Sequence, residues 1–196
     1  TDNWYGWANV FFEFDNLDRA YLPHKGMELN ARFRGVIPLS HRGVIPVGQR
    51  AAHHLDLQSR LYLPVHDRWV IYLEGRGGFF LDQSLPNDWY YLGGYNRNLI
   101  NQFSSFRGLP FGSRIGKGLF SSLAGVRGEW IRGHYLSAGG QHAWLEELTA
   151  PGDFSWRDYR SIWISYGIAT PLGPVELTYA RSNVGGQLYF NLGHWF

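Results

Sequence analysis

The sequence predicts an all-β chain, an antiparallel transmembrane β-barrel of about 8–10 strands. Three observations carry that expectation. Apolar and polar residues alternate with a period of two over long segments. Aromatic residues reach 17% and glycine 25 positions, while charged residues stay at 17% and mean hydropathy at −0.28. No apolar run approaches the ~18 residues a membrane helix needs, so a membrane crossing here must be made by strands.

Each strand can be read from its two faces. In the opening segment, Trp4 to Asp15, Val10, Phe12 and Phe14 oppose Asn9, Glu13 and Asp15. From Gly26 to Ile37, Met27, Leu29, Ala31 and Phe33 oppose Glu28, Asn30, Arg32 and Arg34. Leu55, Leu57, Leu61 and Leu63 then alternate with His54, Asp56, Gln58 and Arg60. Trp69, Ile71, Leu73 and Phe79 alternate with Glu74 and Arg76. Leu119 to Arg132 and Tyr135 to Leu145 read as strands blurred by Gly125, Gly128, Gly139 and Gly140. Ile162, Ile164, Tyr166 and Ile168 form one face, followed by Val175, Leu177 and Tyr179 opposite Glu176 and Thr178. The last strand sets Leu188, Phe190 and Leu192 against Gln187, Tyr189 and Asn191. Two-faced segments of about ten residues mark outer-membrane barrels. No segment shows the 3.6-residue period of a helix.

The connections are of two lengths. Short ones are expected at 63–68, 132–134 and 171–174, and long ones at Pro38 to Gln49, Phe80 to Gly118 and Glu146 to Asp158. Short periplasmic turns alternating with long extracellular loops are the barrel pattern. The residues 1–196 are expected to form one barrel domain, without upstream periplasmic domains. Trp4, Tyr5, Trp7, Tyr21, Trp69 and Trp195 are expected as anchors in the two aromatic girdles.

Other classes of function find little support. The chain has no cysteine, so disulfides and thiolate metal sites are excluded. The net charge is +2 and no Lys/Arg run suggests nucleic acid. No Gly-X-Ser-X-Gly elbow occurs, and the histidines are scattered, so no catalytic residue, metal site or cofactor is predicted. The chain is not expected to be an enzyme. Mixed-sign charges from Glu28 to Glu176 suggest ion-pair ladders in a narrow lumen, or a hydrated wall.

Two motifs remain. Leu188, Phe190, Leu192, His194 and Phe196 alternate to a terminal aromatic, resembling the signal read by the outer-membrane insertion machinery. The long extracellular loop, Phe80 to Gly118, is rich in Trp, Tyr and Phe, and reads either as a plug folded into the lumen or as a surface loop. If Arg107 is buried there it needs a carboxylate, and Glu129 is the nearest candidate by sequence.

The run LGG…FRGLPFG…GVRGEW resembles the Omp85 superfamily, or bacterial surface antigen family. The turn Phe14-Asp15-Asn16-Leu17-Asp18-Arg19 and the hairpin from Thr170 to Leu177 are similar to that family's as well. The resemblance implies a loop dipping into the barrel with an Arg-Gly-aromatic motif held by acidic residues on the next strands. Arg107 and Gly108 match, Leu109 stands where an aromatic is usual, Glu129 matches one acidic position, and Ala138 replaces the other. It implies a bacterial outer-membrane protein for polypeptide insertion, translocation or secretion. The implied partners are outer-membrane lipid, the barrel-assembly machinery, and a client polypeptide or a second copy. Tyr91 to Tyr95 and the ending from Leu188 are similar to barrels that anchor patatin-like phospholipases, a second functional reading. A third is a small closed structural or adaptor barrel of about eight strands, whose interior is too narrow for an infolded loop.

Overall fold

The computed structural model describes residues 5–19, 22–38, 52–80, 89–95, 102–150, 153–171 and 173–192. Strands account for nearly all of them. They are β1 (Tyr5–Asp15), β2 (Gly26–Pro38), β3 (Ala52–His66), β4 (Trp69–Phe80), β5 (Tyr90–Leu92), β6 (Phe103–Ser104), β7 (Arg114–Ile131), β8 (His134–Ala150), β9 (Asp153–Thr170), β10 (Gly173–Ser182) and β11 (Gly186–Leu192). Nine of these form one antiparallel meander in the order β1-β2-β3-β4-β7-β8-β9-β10-β11. The short β5 and β6 pair parallel to each other, and β5 also pairs with β7. Among the described residues β1 and β11 do not pair, so the sheet is an open wall.

Register turns the sequence alternation into two chemically distinct faces. On the outer face Phe33 lies opposite Leu55, Leu73 opposite Ala124, and Leu188 opposite Tyr179. Val10, Phe12, Leu57, Ile71, Ile162, Ile164, Leu177, Phe190 and Leu192 extend that face and are exposed. Such a continuous exposed apolar belt would be a severe aggregation liability in water and is the normal surface of a barrel in lipid. On the inner face Glu28 lies opposite Arg60 and bonds it at 2.8 Å, while Asp56 reaches Arg76 at 3.1 Å. The ladder reading of the inner charges therefore holds for β2, β3 and β4.

Several expectations about the chain's course need correction. Glu146 to Asp158 is not a long loop: β8 and β9 run on and pair up to Ala150–Asp153. Polar residues there end the two-faced pattern before the backbone pairing ends, so periodicity underestimates the strands. For the same reason β7 starts at Arg114, inside the segment read as loop, where it pairs with β5. Trp7 is not on the outer face. It shares the parity of Asn9 and Phe11, which lies opposite the inward Arg32, and it lines an open lumenal cleft of about 930 Å³. Trp4, Tyr21, Trp195 and the loop 39–51 lie outside the described residues.

The blurring glycines have a steric cause. A Cβ on Gly125 would sit 2.6 Å from Tyr72 Cζ, and one on Gly139 2.4 Å from the Ala124 carbonyl oxygen and 2.8 Å from Trp163 Cζ2. Inward aromatic rings lie flat across neighbouring strands at these notches, an arrangement that pins sheet register. Outward Trp144 and Trp156 near the loop end, and Trp69 and Trp130 near the turn end, form the two girdles.

The turn between β1 and β2 is tied by its own side chains. Asp18 accepts the N–H groups of His24 at 2.8 Å and Lys25 at 3.1 Å. Burial acts to raise the Asp18 pKa, but these amides and the neighbouring Arg19 hold it below its ordinary value. The contribution is therefore complete above the usual carboxylate range and lost as pH falls through the lowered value.

Two outcomes are expected. Amide exchange at His24 and Lys25 accelerates on acidification below the usual carboxylate range, and Asp18→Asn removes that acid step. Gly139→Ala lowers unfolding free energy by about 1–3 kcal/mol in a detergent urea titration. Gly140→Ala, whose Cβ meets nothing closer than 3.6 Å, changes it by less than about 0.5 kcal/mol.

Candidate functional site

The segment between β4 and β7 is the one part of the described chain that does not belong to the wall. It packs against the wall's inner face. Tyr90, Leu92, Phe106 and Leu109 are fully buried with Leu119, Ala143, Leu145 and Tyr159 from β7, β8 and β9. Phe103 is buried beside them and stacks on Phe111 at 4.5 Å. The aromatic richness of this loop is thus a small core of its own, and the infolded reading is the one observed.

At the centre stand Arg107, Gly108 and Leu109. The Arg107 backbone N–H donates to Gln141 Oε1 at 3.1 Å, and Gln141 Nε2 donates to the Ser105 carbonyl at 2.8 Å. Gly108 N–H donates to the Tyr189 hydroxyl at 2.8 Å, which in turn donates to the Leu109 carbonyl at 2.8 Å. Ser182 Oγ donates to the Gly108 carbonyl at 2.8 Å. Gly108 has φ +95°, and a Cβ there would lie 3.0 Å from Ser182 backbone nitrogen. Glycine is thus required twice, by the left-handed backbone and by contact with β10. Five hydrogen bonds at about 1 kcal/mol each fasten the motif to β8, β10 and β11.

The Arg107 side chain is 7% exposed, and its guanidinium lies 4.1 Å from the Trp163 ring centroid and 5.0 Å from that of Tyr95. Its Nε and Nη1 have no hydrogen-bond partner among the described residues. A desolvated cation–π contact contributes about 2 kcal/mol, comparable to one charge-assisted hydrogen bond. Glu176 faces the Tyr95 hydroxyl. The backbone bonds therefore contribute more to holding the loop than the arginine charge does.

Glu129 is not the partner of Arg107. It sits by the far turn, where its Oε1 accepts the Gly133 N–H at 2.8 Å and its own N–H bonds the Arg68 carbonyl. Sequence proximity to the loop placed it at the wrong end of β7. Ala138 shares the parity of the outward Val126 and Ile164, so an acid there would face lipid. The inward residue of β8 near the motif is Gln141, an amide in place of a carboxylate. Leu109 fits as a buried aliphatic in the loop's core.

The other side of the loop is tied to β3 and β4. Tyr90 donates to Asp56 Oδ2 at 3.1 Å and contacts His54, while Arg76 Nη1 donates to the Phe103 carbonyl. Tyr90 rests on Gly78, where a Cβ would collide with its hydroxyl. Of the terminal motif, Leu188, Phe190 and Leu192 face outward on β11, whereas His194 and Phe196 lie outside the described residues. Gln141, Trp163, Ser182 and Tyr189 were missed individually. Their signal is inward parity on β8 to β11.

A meander of nine strands around an inward loop, apolar outside and polar within, is the wall of a plugged β-barrel. A family model for the OMP85 superfamily matches residues 1–196, and the chain belongs to that superfamily. It is similar to a crystal structure of BamA from Haemophilus ducreyi lacking POTRA domains 1-3, with a TM-score of 0.69 and 17% identity. The similarity covers 93% of this chain and 40% of that one, so the chain spans well under half the length of that BamA. At this identity the likeness is one of fold. No curated protein matches the chain.

Tyr189→Phe leaves the Gly108 N–H unpartnered, while the Leu109 carbonyl keeps the Gly94 N–H, and is expected to cost about 1–3 kcal/mol in a urea titration in detergent. An Arg107→Cys, Glu129→Cys pair is expected to stay reduced under oxidation, since Arg107 is held by Gln141, which lies opposite Leu123 in the middle of β7, whereas Glu129 lies at the far turn.

Proposed function

We propose that this chain is the loop-bearing wall of a barrel in the bacterial outer membrane whose parent protein inserts, translocates or secretes polypeptides. The observation that carries the reading is the Arg107-Gly108-Leu109 segment, fastened inside the wall by Gln141, Trp163, Ser182 and Tyr189. Membership of the superfamily and likeness to the BamA fold support it.

The geometry offers two working parts. The plug occupies the lumen beside β3, β4 and β8 to β11, so a client polypeptide has no wide aqueous channel there. Among the described residues β11 pairs on one side only, with β10, and a strand edge of that kind templates an incoming strand by backbone hydrogen bonding. A client of this kind is an extended segment with apolar and polar residues in alternation, matching the two faces of the wall. The outward Leu188, Phe190 and Leu192 present the apolar side of that final strand to lipid and to the assembly machinery that inserts the barrel itself.

Arg107→Glu places a carboxylate against the Trp163 ring and leaves the wall's strands unaltered. It is expected to slow client insertion by the parent protein at least tenfold, with the barrel still migrating as a folded, heat-modifiable species. Client insertion at the unaltered rate by a folded Arg107→Glu barrel would count against the plug as a working part.

A further inference from the structure

The lipid-facing side of the wall carries a charged cluster that the loop and the seam do not use. Asp158 and Arg160 share the outward parity of Ile162 and Ile164 on β9, and His142 lies directly opposite Arg160 on β8. Asp158 Oδ1 bonds His142 Nε2, and Asp158 Oδ2 lies 2.8 Å from Arg160 Nε. The Trp144 ring packs on His142 at 3.9 Å. Asn183 clamps the strand behind them: its side chain donates to the Asp158 carbonyl at 3.0 Å and accepts the Arg160 N–H at 3.2 Å.

One strand further on, Arg181 lies opposite Ile162, also outward. Among the described residues its guanidinium has no ion-pair or hydrogen-bond partner, and it is exposed. Its neighbours are apolar: Ile162 is 70% exposed and Leu188, on the next row, 67%. Arg160 is engaged with Asp158 through Nε, and its side chain is 73% exposed. Two arginine forks therefore stand on adjacent strands of a lipid-facing surface, on neighbouring rows, one oriented by a carboxylate and the other with no counter-charge among the described residues.

A bare arginine at the edge of hydrocarbon is costly unless it reaches an anion. Arginine presents a planar pair of donors that suits phosphate. The cluster lies at the loop end, beside the girdle residues Trp144 and Trp156, about where headgroups meet acyl chains. Aliphatic Ile162, Ile164 and Leu188 continue below it toward the turn end. We infer that Arg160 and Arg181 form a binding site for the phosphate of an anionic membrane lipid, with Asp158 and His142 as positioning residues and the aliphatic rows receiving its acyl chains. This rests on the reading that the outer face of the wall meets lipid.

The test uses the full chain in dodecyl maltoside micelles. It is offered phosphatidic acid or phosphatidylcholine of identical acyl chains, and bound lipid is counted by native mass spectrometry. Phosphatidic acid is expected to be retained about tenfold better. Arg160→Gln with Arg181→Gln is expected to abolish that preference. Asp158→Asn, which removes the competing carboxylate, is expected to strengthen it several-fold. Equal retention of the two lipids, an undiminished preference in the folded double variant, or no gain in Asp158→Asn would each overturn the site. Displacement of the lipid by inorganic phosphate at equal concentration would overturn the lipid as ligand. A chain that takes up neither detergent nor lipid would instead remove the membrane reading beneath it.

Discussion

Strand register is the constraint on which the rest of this structure depends. Side chains alternate across a strand, so a slip of one residue exchanges the two faces completely. In a wall with hydrocarbon outside and a polar lumen inside, such a slip would drive Arg32, Asp56, Arg60 and Arg76 into lipid. Each misplaced arginine costs about 2–4 kcal/mol near the midplane. The three arginines together cost about 6–12 kcal/mol, comparable to the whole stability of an ordinary domain. Register is thus fixed by an energy gap that no local turn preference could supply. Tyr72 on Gly125 and Trp163 on Gly139 add steric pins, because a Cβ at either glycine would collide with the ring.

The same alternation makes the loop's site possible. Gln141, Trp163, Ser182 and Tyr189 come from four different strands, yet they reach one segment because all four have inward parity at neighbouring levels of the wall. None of them is unusual as a residue. Together they match the donors and acceptors of a backbone in left-handed turn geometry, and that geometry is available because position 108 is glycine. A local sequence requirement and a long-range registration thus meet at Gly108 and Ser182.

Much of this was legible in the sequence because alternation is a local signal. The strands and their faces follow from residues within about ten positions of one another, whereas the inward charge ladders and the infolding of the aromatic loop are each one of two readings that the sequence leaves open. The site's partners do not follow in this way, and the reason is physical. Which carboxylate or amide lies opposite Arg107 depends on how far the loop descends and on strand tilt, neither of which is written in β7 or β8 alone. Glu129 is chosen by nearness in sequence, but β7 runs on for its full length before reaching it. Ala138 is chosen by alignment to a motif and fails on parity. The Glu146 to Asp158 hairpin shows the reverse case: its backbone pairing persists where side-chain alternation has stopped.

The energetics of the loop decide how such a wall can work. Tyr90, Leu92, Phe103, Phe106 and Leu109 are buried, and side chains of that size contribute about 1.5–3 kcal/mol each on leaving water. With the backbone bonds to Gln141, Ser182 and Tyr189, roughly 10–20 kcal/mol would be lost on withdrawing the segment. That is the scale of unfolding a domain, so full withdrawal is not a step of any repeated cycle. Adding a strand beside β11 carries no such burden, since it leaves the bonds of Tyr189 to Gly108 and Leu109 in place and its outward side chains in lipid. Under the function proposed above, the plug is therefore the fixed body, and β11 is tied to it through Tyr189. Arg107 suits that role: held between two rings rather than neutralised by a carboxylate, it fixes the loop's orientation in the lumen while the hydrogen-bonded backbone around it supplies the strength.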